Sequence, residues 1–140
     1  TENQTLTITP AIKELIRSLR NRGVLFALDD FGTGYANLCY LNELDLDVIK
    51  IDKTFIKAIK EVEQHIPMLE SIIHLSGLLG LRMVAEGVEY GYQQQWLRKN
   101  NVDYLQGYQF LPPVMFDDFM RFYKQSVGLF ESASDSPLST

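Results

Sequence analysis

Cysteine is almost absent from this chain of 140 residues. The single Cys39 rules out an internal disulfide, so the fold must rest on its apolar core, and a reducing compartment is the expected setting. Cys39 itself reads as a small apolar filler in a helix. Histidine is nearly as scarce. His65 and His74 fall in a stretch of helical pattern without a ligand-like grouping, which turns the reading away from zinc. Long apolar runs are missing too: charge or glycine interrupts each one before the roughly 18 residues of a spanning helix, and no basic-then-apolar leader opens the sequence. The expectation is a chain with no membrane span, working in the cytoplasm. No basic block occurs either. Thirteen Lys and Arg stand against 18 Asp and Glu, a formal charge of −5, which disfavours binding to polymeric nucleic acid through its phosphates.

What is present is enough for a core. A hydrophobic share of 46% excludes wholesale disorder, and the length sets one compact domain as the ceiling. The exception is the end of the chain, ESASDSPLST over residues 131–140, which is serine-rich and apolar-poor. The expected organisation is a folded part over 1–128 and a flexible tail over 129–140.

Short β-branched runs alternate with helical stretches. Residues 6–9 alternate in polarity and meet Pro10, which suits a first helical turn, and Ile12, Leu15, Ile16 and Leu19 follow at helical spacing up to Gly23. Strands are expected over 24–28, 48–52, 82–85 and 104–110. The run at 24–28 is apolar on both faces, as in a buried parallel sheet. Helices are expected over 36–44, 53–60, 66–79, 93–99 and 116–123, with Gly80 stopping the third. Five strand–helix units in alternation specify a parallel α/β fold with right-handed crossovers. A closed eightfold barrel takes about 250 residues, so the count fits either a partial (βα) barrel of TIM type or a small open sheet of flavodoxin type.

The polar residues fall in one place. Asp29 and Asp30, Lys50 and Asp52, Glu86 and Glu89, and Gln106 all lie at or just past the carboxyl ends of apolar strands, the edge where parallel β/α proteins bind ligands. Carboxylates converging there repel one another unless a cation intervenes, and all-oxygen ligands suit magnesium or manganese, with calcium as a further candidate and zinc less natural. Adjacent Asp29 and Asp30 could hold two ions close together, a device for phosphoryl hydrolysis. Lys50 would then offset developing negative charge, and Glu86 would hold metal or accept a proton. Plainer readings remain: a polar turn at Asp29-Asp30, and a strand-end salt bridge between Lys50 and Asp52. Gly32-Thr33-Gly34 lacks the register of a phosphate loop, and Tyr104, Tyr108 and Phe110 could stack a purine or simply pack.

Four segments, in order, carry more. Ala27-Leu28-Asp29-Asp30-Phe31-Gly32-Thr33-Gly34-Tyr35, Ile49-Lys50-Ile51-Asp52-Lys53, Val84-Ala85-Glu86-Gly87-Val88-Glu89 and Gln106-Gly107-Tyr108 together resemble the EAL-domain family of cyclic-di-GMP phosphodiesterases. The resemblance runs from about Leu6 to Pro113 and makes residues 1–128 the carboxyl-terminal part of an EAL-like domain. It implies a modified TIM barrel and a bacterial enzyme that opens cyclic-di-GMP to linear pGpG with two Mg2+ or Mn2+ ions. By the same resemblance Asp29, Asp30 and Glu86 are metal ligands, Lys50 and Glu86 are catalytic, and Gln106 and Glu89 support the substrate side. Residues 31–35 match a segment that links the metal site to a dimer contact in the family.

The departures are as specific. The glutamate of the naming Glu-Ala-Leu motif and a later asparagine ligand have no counterpart, and Leu6-Thr7-Ile8-Thr9-Pro10 sets Thr7 and Pro10 where a Leu-Glu-x-Thr-Glu pattern carries glutamates. The resemblance therefore implies a weakened metal site, with this chain alone slow or inactive toward cyclic-di-GMP. The alternative is a degenerate, non-catalytic module that binds the dinucleotide or a protein. A flavodoxin-like carrier has little support, since no glycine-rich first turn is present. Open sheet edges also make a homo-oligomer, or association with a complementary fragment carrying the early strands, the expected state.

Overall fold

The computed structural model describes residues 8–32, 40, 41 and 43–134, with side chains through residue 125. It divides into two compact units, Thr1–Phe110 and Leu111–Thr140.

In the first unit, α1 (Pro10–Arg20) begins where the sequence dictates. Thr9 is its N-cap, its Oγ1 accepting the Ile12 N–H at 3.3 Å, and Pro10 occupies the first turn, where a missing N–H costs nothing. Of the expected strand over 6–9, Ile8 and Thr9 belong to no strand, Thr9 being taken by the cap of α1, and residues 6 and 7 lie outside the described residues. Next comes β1 (Ala27–Phe31), three residues later than the expected 24–28. The reason lies in the backbone: the Val24 N–H donates to the Leu19 carbonyl and closes the end of α1, so Val24 is unavailable to a sheet. Asp29 and Asp30 are consequently strand residues and not a loop.

The remaining elements are β2 (Val48–Ile51), α2 (Lys53–Ile56), α3 (Pro67–Leu78), β3 (Arg82–Glu86), α4 (Gly91–Lys99) and β4 (Tyr104–Gln106). The helix expected over 36–44 is seen only at Tyr40, Leu41 and Glu43, its other positions up to 42 lying outside the described residues. Helix α2 is one turn instead of the expected eight residues. Asp52 caps it by accepting from the Thr54 N–H at 2.8 Å, and the chain then turns at Lys57 and Ala58. Strand β4 also stops early: past Gln106 the backbone turns so that Gln109 donates to the Val88 carbonyl, ending the ladder.

The four strands among the described residues are parallel and lie side by side in chain order, β1-β2-β3-β4. This order decides between the two architectures left open above. A flavodoxin-type sheet reverses direction at a switch point, giving order 2-1-3-4-5, whereas a barrel adds each strand next to its predecessor. The fold is a partial (βα) barrel. Period-two alternation sorts its residues: Ile49, Ile51, Met83 and Ala85 are buried in one core with Ile56, Leu69, Ile72, Trp96 and Leu97 from the helical side. The opposite face is open by comparison, with Val48, Lys50, Val84 and Glu86 half-buried and Asp29, Tyr104 and Gln106 exposed. Burial on both faces, expected for a parallel sheet, is thus met on one face only.

Below the sheet, Asp47 joins β2 to α1, accepting from Arg20 Nη2 at 2.7 Å and from the Phe26 N–H at 2.8 Å. Among the described residues no buried side-chain polar atom lacks a partner.

The second unit contains α5 (Phe116–Ser134), with Asp117 and Asp118 in the first turn, where carboxylates favour the helix dipole. This helix is longer than the expected 116–123 and takes in residues 129–134 of the expected tail, because no proline interrupts it before Pro137. Among the described residues, no helix is long and apolar enough to cross a membrane.

Candidate metal centre and catalytic rim

Three strands deliver the charged residues to one rim. Lys50 alternates with Ile49 and Ile51 on β2, so burying the two isoleucines against the helices turns its amine to the other face. Its Nζ lies 2.9 Å from Asp29 Oδ1 on β1 and 2.5 Å from Glu86 Oε1 on β3. Asp52, the partner that the strand-end salt-bridge reading offered, is instead committed to capping α2. The Glu86 contact, followed by the Asp29 contact, holds the Lys50 ammonium above its ordinary pKa, against a smaller opposing effect of burial.

The pairing of β1 with β2 shifts between Leu28 and Phe31, and within that irregularity Asp30 takes φ 50°, a left-handed conformation uncommon outside glycine. The shift lets consecutive aspartates serve one site, where a regular strand would send them to opposite faces. One carboxylate oxygen each from Asp29, Asp30 and Glu86 can be chosen so that all lie within 4.8 Å of one another. Oxygen donors at such spacing match the preference of Mg2+ or Mn2+, with water completing the shell. The donor set fits one such ion.

Exposure grades across the site, from Asp29 with 66% of its side chain accessible to Glu86 with 21%. Glu86 is thus the carboxylate for which a water-poor environment would matter most. Gln106 is the register partner of Glu86 on β4 and is exposed. Glu89, three residues past Glu86, is exposed on the loop before α4. Of the residues singled out from sequence, Asp29, Asp30, Lys50 and Glu86 converge, Gln106 sits beside Glu86 on the next strand, and no contact joins Glu89 to the cluster among the interactions of the described residues. Residues 33–35 lie outside the described residues, as does Cys39. His65 binds Glu70 through Nδ1 at 2.8 Å, a contact on α3 remote in sequence from the rim.

One residue at this rim has no charge to draw attention. Gln93 is 2% exposed; its Oε1 accepts from the Glu89 and Tyr90 N–H groups, and its Nε2 donates to the Ile56 carbonyl. The available sequence signal was its place three residues past Tyr90, where Gln or Glu commonly reaches back to a helix N-terminus.

Comparison with known proteins gives a consistent result. The family model described as EAL domain matches residues 1–113. The probable cyclic di-GMP phosphodiesterase PdeB of Escherichia coli K12 is 42% identical over 113 residues, which are 79% of this chain and 21% of that protein. The cyclic di-GMP phosphodiesterase PdeL of the same organism is 38% identical over 130 residues, 91% of this chain and 35% of that one. The chain therefore spans about a third or less of these curated relatives. An EAL domain protein from Listeria monocytogenes EGD-e superimposes with a TM-score of 0.72 at 34% identity, covering 84% of this chain and 48% of that one. Klebsiella pneumoniae BlrP1, solved as a complex with manganese and cyclic di-GMP, gives 0.63 at 31% identity over 78% of this chain and 28% of its own. On the strength of a family match that covers most of its length, and of strands laid down in barrel order, this chain belongs to the EAL domain family.

Proposed function

We propose that this chain forms the carboxyl-terminal part of the catalytic barrel of a cyclic-di-GMP phosphodiesterase. The observation that carries the reading is the convergence of Asp29, Asp30 and Glu86 around the Lys50 amine. In the reaction, the oxygen of a water molecule bonds to phosphorus, one ring P–O bond breaks, the departing ribose oxygen takes a proton from solvent, and linear pGpG results. Asp29, Asp30 and Glu86 would hold a Mg2+ or Mn2+ ion, which when bound supplies Lewis acidity toward the phosphate and the water. Lys50 places positive charge where negative charge builds up on the phosphate oxygens, and Glu86 accepts the proton lost by the water. Gln106 and Glu89, at the margin of the same rim, contact the dinucleotide.

The chain alone is proposed to be weakly active or inactive. Thr7 and Pro10 stand where the family pattern carries glutamates, and Pro10 is committed to the first turn of α1. The exposed face bearing Asp29, Tyr104 and Gln106 supports association with a second copy or with a fragment carrying the early strands. Sedimentation should accordingly show more than a monomer at micromolar concentration. Chromatography of pGpG formed from cyclic-di-GMP with Mg2+ or Mn2+ tests activity. Turnover near one per second, a low but ordinary enzyme rate, would refute the weak-activity reading. The second reading, a non-catalytic binding module, draws on the same Pro10 observation. It predicts metal-dependent or partner-dependent binding by titration calorimetry without any pGpG.

A further inference from the structure

Glu86 reaches Lys50 from a strand end that is followed at once by a four-residue loop, residues 87–90, before α4. Such a loop moves unless something fixes it. Its near half is fixed by β4 and the turn after it: the Val88 N–H donates to the Gln106 carbonyl at 3.0 Å, and the Val88 carbonyl accepts from the Gln109 N–H at 3.0 Å. Gly87, at φ +72°, lies so close to α2 that a Cβ there would meet Lys53 Cβ at 2.7 Å. The far half is tied to the end of α2 by one buried side chain. Gln93 Oε1 accepts from the Glu89 N–H at 2.9 Å and the Tyr90 N–H at 3.1 Å, while Nε2 donates to the Ile56 carbonyl at 3.1 Å.

We infer that Gln93 is a positioning residue for the metal centre, setting the separation between Glu86 and Lys50 by tying the loop after β3 to the helix after β2. The inference rests on the functional reading given above. Helix α2 follows β2 after Asp52 alone, so the Ile56 carbonyl and Lys50 belong to one short, rigid βα unit. The loop and Glu86 belong to the next. Gln93 joins the two units with an amide that must accept at one end and donate at the other, which neither a carboxylate nor an apolar side chain reproduces. Capping alone would need only the acceptor. The donor to Ile56 is the part that links strand to strand.

The test separates these roles in the 140-residue chain. Gln93→Glu keeps the two acceptor contacts and sets a carboxylate against the Ile56 carbonyl. Gln93→Met removes both ends. Val102→Ala, at a buried position just before the amino end of β4, serves as a control for loss of core packing. Mn2+ affinity is read by calorimetry for all four proteins. The expected result is at least a tenfold weakening in both Gln93 variants and less than twofold in Val102→Ala. Equal affinity in wild type and Gln93→Glu, or equal weakening in the control, overturns the inference while leaving the metal centre intact. Wild-type protein that binds no Mn2+ overturns the functional reading instead, and a metal-free measurement then decides on Gln93. In urea unfolding with chelator, Gln93→Glu and Glu86→Gln should combine with more than a threefold departure from multiplicative unfolding constants. Independent, multiplicative effects would show that Gln93 does not act on Glu86.

Discussion

Replacing Lys50 with methionine keeps most of the side-chain volume and removes the ammonium between Asp29 and Glu86. The carboxylate oxygens of Asp29, Asp30 and Glu86 can lie within 4.8 Å of one another, where two unit charges repel by ~1 kcal/mol in a water-like dielectric and ~3.5 kcal/mol at an effective dielectric of ~20. Asp29 is two-thirds accessible, which places its repulsions near the lower figure, while Glu86 is better shielded. The net loss expected for Lys50→Met is about 1–2 kcal/mol at neutral pH in chelator and low salt. The folded Lys50 ammonium keeps its proton to higher pH than a free lysine, so the stabilisation it supplies is full below about pH 10 and is lost as pH rises through the folded value.

Urea unfolding measures the difference directly. Raising the salt to half-molar should narrow the gap between wild type and variant, because a Debye length of a few Å screens an accessible carboxylate. Mn2+ at ten times its dissociation constant should return about 1.4 kcal/mol to the variant by mass action. A Lys50→Met protein within about 0.3 kcal/mol of wild type at low salt would refute the reasoning, since the carboxylates would then need no compensating charge. A loss independent of salt would also count against it, pointing to the lysine stem and not its charge.

Three further perturbations have clear signs. Asp47→Asn should lower stability by about 1–2 kcal/mol at pH 7. The Arg20 guanidinium, with help from the Phe26 N–H, holds the Asp47 carboxyl below the ordinary carboxylate range, so its contribution is full above about pH 4 and fades as pH falls through the folded value. Urea midpoints of wild type and variant should therefore converge at pH 2, and a constant gap would refute the pairing. Gly32→Ala should destabilise by about 2 kcal/mol, because φ is +100° and the new methyl would enter the Phe55 ring; a thermal midpoint unchanged by the substitution would count against this packing. Trp96→Phe breaks the 2.7 Å bond from the indole N–H to the Gln64 carbonyl and should cost about 1–2 kcal/mol by circular dichroism, the probe that survives loss of the single tryptophan.

The charged residues of the rim were legible because the chemistry writes them in plain type: carboxylates and an amine placed after β-branched runs. Lys50 could be assigned a face from the isoleucines on either side of it. The choice of ion-pair partner was not legible, since the nearby Asp52 competes in sequence with Glu86, which lies 36 positions away but only one strand over. The start of β1 was missed because Val24 and Leu25 look like strand residues, whereas the end of α1 claims the Val24 amide. Asp29 and Asp30 looked like a loop for a related reason: a register shift and a left-handed φ are decided by pairing with β2, not by local propensity. Open sheet and ring were indistinguishable by periodicity because both alternate strand with helix; only lateral neighbours tell them apart. Gln93 stayed hidden because its partners are main-chain groups, which no sequence names.

The alternation along β2 has a mechanical corollary. The ladder that seats Ile49 and Ile51 among the helices is the same ladder that aims the amine of Lys50, and slipping it by one residue would drive an ammonium into hydrocarbon and an isoleucine into the mouth. Lys50 consequently has no private melting point: its place on the rim can be lost only along with the hydrocarbon behind β2, and exchange of the Lys50 amide with solvent should report the same opening free energy as that of Ile49.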